Sequence, residues 1–131
     1  MFVEEVPVRT RSRVEFVNLD GLVRDFIRKS GINEGLLTLF VPHTTAAITI
    51  NENADPSVVR DIIRTTSKLV PYKGDYDHFE GNSDAHIKAS LFGHSETVIV
   101  SGGKPLLGTW QSLYFCEFDG PRTRRLILSI S

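Results

Sequence analysis

Hydrophobic and polar positions alternate with two different periods along the chain. Apolar residues occupy every second position within residues 6–8 and 14–16, on either side of a polar segment, which predicts two strands. Between Leu19 and Ile27 they recur at helical spacing, and Gly31 then provides a left-handed stop. The N-terminal part is therefore predicted to contain two strands followed by an amphipathic helix.

The middle of the chain has the pattern of two buried strands and a second helix. Residues 35–41 and 46–50 are nearly continuous apolar or β-branched runs, and Pro42 marks the break between them because proline cannot donate to a sheet. Asp55 followed by Pro56 is typical of a helix start. The buried stripe predicted for this helix consists of Val58, Val59, Ile62 and Ile63.

A third helix is predicted after a loop. Residues 71–77 are rich in Pro, Gly and Asp, which is typical of a loop. Ser83 or Asp84 then provides a helix cap, and the helix ends at Gly93. Three strands separated by two glycine-containing turns are predicted at residues 96–100, 106–118 and 124–130.

These elements together predict an α+β fold with a largely antiparallel sheet, arranged as a sandwich or an open barrel. A chain of 131 residues can form one hydrophobic core but is too short for two ordinary domains. We therefore interpret residues 1–131 as a single domain.

Charge and cysteine content exclude several classes of protein. With 15 basic and 16 acidic residues the net charge is −1, so no global field favours nucleic acid or an anionic membrane. Cys116 is the only cysteine, which excludes an intrachain disulfide and a four-cysteine zinc site, and in its apolar strand it is predicted to pack as a small buried residue. No stretch approaches the roughly 20 apolar residues of a membrane helix, and the start lacks a signal pattern, so we expect a soluble cytoplasmic protein.

Two polar windows hold most of the candidate chemistry. The first runs from Pro42 to Pro56 and the second from His78 to Ser90, and three of the four histidines fall within them. Histidines lie there among carboxylates, amides and hydroxyls at the ends of predicted elements, where functional groups tend to be displayed. We expect the two windows to converge in space.

Four ordered blocks over most of the chain carry a family resemblance. They comprise His43-Thr44-Thr45-Ala46-Ala47 with Asn51-Glu52 and Asp55-Pro56, then His78 with Glu80-Gly81, then Ala85 to Gly93, and finally Gly108-Thr109-Trp110-Gln111 with Glu117 and a basic run ending at Arg125. With these blocks the chain resembles the YjbQ-like proteins of uncharacterised protein family 0047.

The resemblance implies a YjbQ-like two-sheet, mostly antiparallel β-sandwich with a few α-helices. It also implies assembly as a homotrimer, with a polar site around the histidines near subunit contacts. Family members are often labelled secondary thiamine-phosphate synthases, so weak thiamine-phosphate synthase activity is one activity that the resemblance implies.

The histidines are candidate metal ligands. Three imidazoles plus a water form the open tetrahedral zinc site that generates hydroxide near neutral pH. His43, His78 and His86 can supply the three imidazoles. The expected divalent ion is zinc. Alternatively, they only hydrogen-bond loop backbone or cap a helix. Glu52 is a candidate general base or orients a liganding ring, and alternatively is a strand-end charge facing water. The candidate catalytic residues are thus His43, Glu52 and His86, whereas His94 is interpreted as a solvated surface residue.

An anion site is the other constructive interpretation. The start of the third helix offers backbone N–H groups and the positive end of a helix dipole to a phosphate or sulfate. The side chains expected to bind the ligand are Thr44, Thr45, Asn51, Lys88, Ser90 and Gln111. Lys88 can equally be a solvated helix charge. Residues 108–111 are interpreted as a strand segment, with Trp110 contacting the core or a subunit interface.

Two classes of function remain from the sequence. The first is a small oligomeric enzyme acting on a phosphorylated small molecule at a histidine-rich, metal-dependent or acid–base site. The second is a trimeric protein that binds a metal or a metabolite without turnover. An open metal position would favour the enzyme, whereas a closed site with four protein ligands would favour structure or storage.

Overall fold

The strands form two antiparallel sheets, and three helices complete an α+β fold, as predicted. The computed structural model describes residues 1–131. Its elements are β1 (Phe2–Arg9), β2 (Glu15–Asn18), α1 (Asp20–Ser30), β3 (Gly35–Phe40), β4 (Ala46–Glu52), α2 (Pro56–Leu69), α3 (Ser83–Phe92), β5 (Ser95–Ser101), β6 (Lys104–Pro105), β7 (Gln111–Glu117) and β8 (Thr123–Ile130). The larger sheet has the order β1-β8-β3-β5-β6 and the smaller sheet the order β2-β7-β4.

The main hydrophobic core lies between the inner faces of the two sheets. Side chains alternate across a strand, so Leu126 and Leu128 of β8 point inward from the larger sheet while Leu113 and Phe115 of β7 point inward from the smaller one. The apolar stripe of α1 closes the same cluster with Val23, Phe26 and Ile27. The period-two and period-3.6 patterns of the sequence are therefore used as predicted.

A second, smaller cluster holds α3 on the opposite face of the smaller sheet. Ala85 and Ala89 of α3 pack there with Ala47, Cys116 and Phe118. Alanine side chains on both partners let the helix lie close to the sheet, which fixes the start of α3 beside the ends of β4 and β7. Cys116 is fully buried, as predicted, and burial raises the pKa of its thiol, so it is an inert packing residue.

Two apolar surfaces are only partly covered within the chain. No residue of α2 is buried, and the predicted stripe from Val58 to Ile63 is only half-buried, so the expectation of a buried stripe is wrong for the single chain. The outer face of the larger sheet also exposes apolar side chains, among them Leu36, Phe40 and Ile99. None of the three helices combines the length and apolar character needed to cross a membrane.

Some predicted boundaries need correction. The strand expected over residues 106–118 begins only at Gln111, because Gln111 N–H donates to Gly108 C=O at 3.0 Å and closes a turn there. Trp110 in this turn is 61% exposed and does not belong to the core. Asp55 caps α2 as predicted, accepting from Ser57 N–H at 2.9 Å. For α3, the cap residue is Asn82, which makes no side-chain capping bond.

Candidate functional site

An open cleft of about 590 Å³ lies where β3, β4, β7 and β8 meet the start of α3. The loop from β3 to β4 contributes His43, α3 contributes His86, and the turn between β7 and β8 contributes Asp119. The cleft is lined mainly by polar side chains. The expectation that the two polar windows converge is confirmed for His43 and His86, which line the same cleft.

A buried ion pair lies at the floor of the cleft, where Arg124 belongs to the lining and Glu117 is buried with it. Arg124 and Glu117 are 2% and 0% exposed, and Arg124 Nε donates to the Glu117 carboxylate at 2.9 and 3.1 Å. Glu117 also accepts from the Thr10 hydroxyl at 2.7 Å and from Asp119 N–H at 3.1 Å. Burial by itself raises the pKa of Glu117, but the hydrogen bonds from Arg124, Thr10 and Asp119 N–H together outweigh it and lower that pKa. The carboxylate is therefore held ionised as the anchor of Arg124.

Arg124 keeps part of its hydrogen-bonding capacity free. Its Nη2 donates to Glu117, to the Thr45 hydroxyl at 2.9 Å and to Thr45 C=O at 3.2 Å, whereas Nη1 has no acceptor in the chain. A guanidinium carries five N–H donors in a fixed fork. Since Arg124 lines the cleft, the two Nη1 donors are available to a bound anion.

His43 has a defined tautomer. Its Nε2 accepts from Arg125 N–H at 2.9 Å, so that nitrogen is unprotonated and the neutral ring carries its proton on Nδ1. Partial burial lowers the pKa of His43, and the neighbouring charges of Arg124 and Arg125 lower it further. His43 is thus a neutral N–H donor at the cleft and has no free Nε2 lone pair for a metal.

The wall beside the start of α3 is built from Asn82, Asp119 and Arg122. Asn82 Nδ2 donates to Asp119 Oδ2 at 2.9 Å, and Arg122 Nη2 donates to the same oxygen at 3.1 Å. Arg122 Nε donates to Asp119 C=O at 2.9 Å. These bonds tie the turn after β7 to the cap residue of the helix that carries His86.

A second charged cluster, formed by Arg13, Asp84 and Lys88, lies next to this wall and contacts the same turn. Arg13 donates to both oxygens of the buried Asp84 carboxylate at 3.1 and 2.9 Å, while Arg13 C=O accepts from Gly120 N–H at 2.9 Å. Lys88, predicted as an anion ligand, lies 3.6 Å from Asp84 and is only 2% exposed. Burial lowers the pKa of Lys88, against the opposing effect of Asp84. Lys88 does not line the cleft, so its anion-binding role is not supported within the chain.

His78 lies beside His86 but does not line the main cleft. The two ring centroids are 5.5 Å apart at 87°, and both rings line a neighbouring cavity of about 390 Å³ together with Asp75 and Asp77. In the single chain, no group of three or more His, Cys, Asp or Glu side chains is arranged to hold a metal ion. The predicted triad of His43, His78 and His86 is therefore divided into a pair and a separate ring.

Glu52, Asn51 and Gln111 lie at the opposite end of the smaller sheet. Glu52 pairs with Gln111 across β4 and β7, whereas Ala46 next to the cleft pairs with Glu117. Glu52 accepts from Ala54 N–H at 3.1 Å. Asn51 and Gln111 likewise bond backbone, since Asn51 Oδ1 accepts from Glu52 N–H at 2.7 Å and Gln111 Oε1 from Gly108 N–H at 2.8 Å. β4 spans roughly 20 Å, so within one chain these residues do not reach the cleft.

Of the hydroxyl residues predicted to bind the ligand, two line the cleft and one does not. Thr44 and Thr45 line the cleft, Thr44 exposed and Thr45 buried on Arg124. Ser90 faces outward and donates to His86 C=O at 3.0 Å. His94, interpreted as a surface residue, in fact lines the cleft because the chain returns there between α3 and β5.

Sequence reasoning missed the residues that form the floor and wall. Arg124, Asn82 and Asp119 come from segments that are distant in sequence or that look like ordinary turns. The available signal was a charged pair, Glu117 and Arg124, facing the core on two strands joined by a short turn. Buried charges are rare unless they are paired, so that pattern predicts a buried ion pair.

The chain is thus a two-sheet α+β protein with a histidine-bearing polar cleft at one end of the smaller sheet. The chain belongs to the family described as UPF0047 protein YjbQ-like, whose model matches residues 4–131. This confirms the resemblance drawn from the sequence motifs.

Individual relatives agree over nearly the whole chain. UPF0047 protein MJ1081 of Methanocaldococcus jannaschii is 52% identical over 123 residues, covering 94% of this chain and 89% of the relative. UPF0047 protein YugU of Bacillus subtilis is 46% identical, covering 93% of each chain. A crystal structure of a YjbQ/UPF0047 family protein from Clostridium acetobutylicum superposes with a TM-score of 0.95 at 50% identity, covering 98% of this chain and 99% of that one. The structure of APE1520 from Aeropyrum pernix gives a TM-score of 0.94 at 35% identity, with 100% and 98% covered.

Proposed function

We propose that the cleft binds a small phosphorylated molecule and that the protein is an enzyme acting on it by histidine acid–base chemistry. The observation that carries this proposal is the pair of unused donors at one place: Arg124 Nη1, on a side chain that is 2% exposed, and the Nδ1–H of His43. Charge-assisted N–H donors with fixed orientation are the groups that hold phosphate oxygens.

His86 supplies the proton chemistry in this proposal. Neither ring nitrogen of His86 hydrogen-bonds within the chain, and the ring lines the same cleft as His43. An imidazole can both take and give a proton near neutral pH. His43 then orients the anion as a neutral donor, while His86 exchanges a proton with the reacting group. The thiamine-phosphate synthase activity implied by the family resemblance belongs to this class, because its product is a phosphate ester.

A divalent ion, with zinc first, is a second proposal for the neighbouring cavity. His78 and His86 supply two nitrogen ligands with rings 5.5 Å apart, and Asp75 and Asp77 are the nearby carboxylates. In this version the protein binds a metal or metabolite without turnover. Zinc content measured after incubation and desalting should fall in His78→Ala and His86→Ala but not in His94→Ala. Equal zinc content in all three variants would refute the metal proposal.

Assembly as a homotrimer is also proposed. It is supported by the two partly covered apolar surfaces, the α2 stripe and the outer face of the larger sheet, because pairing of two different patches between copies generates a ring. Light scattering at micromolar concentration should give three times the 14.7 kDa mass of one chain. A monomer mass would refute this arrangement.

Phosphate binding is tested by calorimetry and thermal shift with inorganic phosphate and a panel of phosphate monoesters. Wild type should be stabilised by these anions, since a ligand that binds only the folded state raises the melting temperature by mass action. His43→Ala should weaken binding about tenfold, which corresponds to the loss of one charge-assisted bond. Arg122→Ala should also weaken binding, because it removes a positive charge from the lining of the cleft. Turnover of any ester, followed by phosphorus NMR, should be lost in His86→Ala.

The matched control is Arg64→Ala. Arg64 forms an exposed ion pair with Asp61 three residues away, as Arg122 does with Asp119, but it lies on α2 and not in the cleft. Affinity should be unchanged in Arg64→Ala. Absence of phosphate binding by wild type, or equal loss in the two arginine variants, would contradict the proposed function.

A further inference from the structure

The cleft contains unused acceptors as well as unused donors, and we propose that its ligand carries a hydroxyl or ammonium group beside the phosphate, bound by Asp119 and Asn82. This inference rests on the proposed phosphate-binding function of the same cleft and adds a second recognised group to the ligand. It makes Asp119 and Asn82 the residues that determine specificity.

The orientation of Asn82 is fixed by its partner. Its Nδ2 donates to Asp119 Oδ2 at 2.9 Å, and because an ionised carboxylate can only accept, the amide cannot be turned around. Asn82 Oδ1 therefore points away from Asp119. It is the one buried side-chain oxygen or nitrogen of the chain that has no hydrogen-bond partner. An acceptor left unpaired in a folded protein is costly unless something else supplies a donor.

Only one of the two carboxylate oxygens of Asp119 has hydrogen-bond donors within the chain. Its Oδ2 accepts from both Asn82 and Arg122, while its Oδ1 accepts from no group in the chain. The Asp119 side chain is 19% exposed, so Oδ1 remains accessible from the cleft. Two oxygens next to the start of α3 thus lack a donor: Asp119 Oδ1, which is open to the cleft, and Asn82 Oδ1, which is buried beside it.

Size and charge favour a bifunctional ligand over a bare anion. A volume of about 590 Å³ falls in the range of pockets for small organic ligands, roughly 300–1,000 Å³. An anion seated by Arg124 and His43 leaves the carboxylate and amide oxygens of the wall unsatisfied. A donor group on the same ligand would satisfy them, whereas a second anionic group would be repelled by Asp119.

The test compares small phosphate esters that carry a donor group with one that lacks it. Dissociation constants are measured by calorimetry for inorganic phosphate, propyl phosphate, glycerol 3-phosphate and phosphoethanolamine. Wild type should bind glycerol 3-phosphate or phosphoethanolamine at least tenfold more tightly than propyl phosphate, because a site built to pair a donor rejects the analogue that lacks it. In Asp119→Ala and in Asn82→Ala this ratio should fall towards one. Taking the ratio within one variant cancels any general loss of folded protein.

Asp61→Ala is the matched control, because Asp61 forms the same kind of ion pair with an arginine three residues later, on α2. It should keep the wild-type ratio. Equal affinity of wild type for all three esters, or an unchanged ratio in both Asp119→Ala and Asn82→Ala, overturns this inference and leaves the phosphate-binding function standing. Failure of wild type to bind inorganic phosphate and every ester overturns both.

Discussion

The two ends of the smaller sheet look alike in sequence and differ in what their polar groups do. At one end of β4, His43 and Thr45 meet the Glu117–Arg124 pair, and at the other end Asn51 and Glu52 follow the strand. Both ends carry several polar residues directly next to an apolar run. The polar side chains named at the far end bond local backbone groups, whereas the cleft end retains donors and acceptors without partners.

This difference shows how a binding site can be told from a well-made turn. A polar side chain that hydrogen-bonds the backbone of its own turn already has its partners, so it needs no ligand to satisfy it. A group held rigidly by neighbours but left with free capacity is prepared for something outside the chain. Each prediction below contrasts one residue of the cleft end with one residue elsewhere.

The largest effect is expected for Glu117→Ala. Removing Glu117 leaves the Arg124 guanidinium buried without its partner, and such losses cost about 3–5 kcal/mol. Glu52→Ala removes only a partly exposed carboxylate that caps two backbone N–H groups, which should cost about 1 kcal/mol. Urea unfolding of both variants measures the free energies. Equal losses would erase the contrast between the two ends of the sheet.

Gly120→Ala should come next. A Cβ at Gly120 would lie 2.5 Å from Ser12 C=O oxygen, 2.8 Å from Glu117 Cγ and 2.8 Å from Thr10 Oγ1, so the turn that carries Asp119 must shift. We expect a loss of about 1–3 kcal/mol, as for other overpacked sites, and weaker phosphate binding. Gly21→Ala in α1 meets only the end of Arg24 at 3.8 Å and should be neutral or slightly stabilising. Unfolding curves in which the two variants match would contradict this.

The pH dependence of stability should report on His43. Its folded pKa is lowered below the ordinary value of 6.5, so the unfolded chain takes up this proton first as the pH falls. The contribution of His43 is therefore fully present above about pH 6.5 and is lost as the pH decreases from 6.5 through the folded pKa. Urea unfolding at several pH values should show this loss in wild type and in Glu52→Ala, and a reduced loss in His43→Ala. A profile that is unaltered by His43→Ala would show that the ring is not held neutral.

The smallest effect is expected for Lys88→Met. Methionine fills similar volume, and Asp84 keeps its two bonds to Arg13, so stability should change by about 1 kcal/mol or less. Phosphate affinity should stay within twofold of wild type, in contrast with His43→Ala. A tenfold loss of affinity in Lys88→Met would restore the anion-binding role that the sequence predicted and the structure does not support.

Much of the fold could be predicted because its signals are local. The alternation in β8, the stripe of α1 and the Asp55-Pro56 helix start each depend on neighbouring residues, and all three are found. The start of β7 was predicted too early because Gly108–Trp110 carry an aromatic residue and β-formers, while the hydrogen bond closing the turn depends on Gln111. Turn geometry of this kind is decided by side-chain to backbone bonds that composition does not reveal.

The site was predicted only in part because it is assembled from distant segments. His43, His86 and the two threonines were found from their motifs, but Arg124 reaches Thr45 across 79 positions of sequence and Asn82 reaches Asp119 across 37. Lys88 looked like a helix charge or an anion ligand, and only packing of α3 on Phe118 decides that it is buried. Periodicity shows which side of an element faces inward, but not which polar groups meet there.

The central claim is that His43 is a neutral Nδ1–H donor at a phosphate-binding cleft, and histidine ring NMR tests it most directly. In long-range proton–nitrogen spectra at pH 7.5, His43, assigned with His43→Ala, should show an unprotonated Nε2 and a protonated Nδ1. Its signals and those of His86 should shift saturably as inorganic phosphate is added. A proton on Nε2 of His43, or ring signals that do not respond to phosphate, would contradict the account.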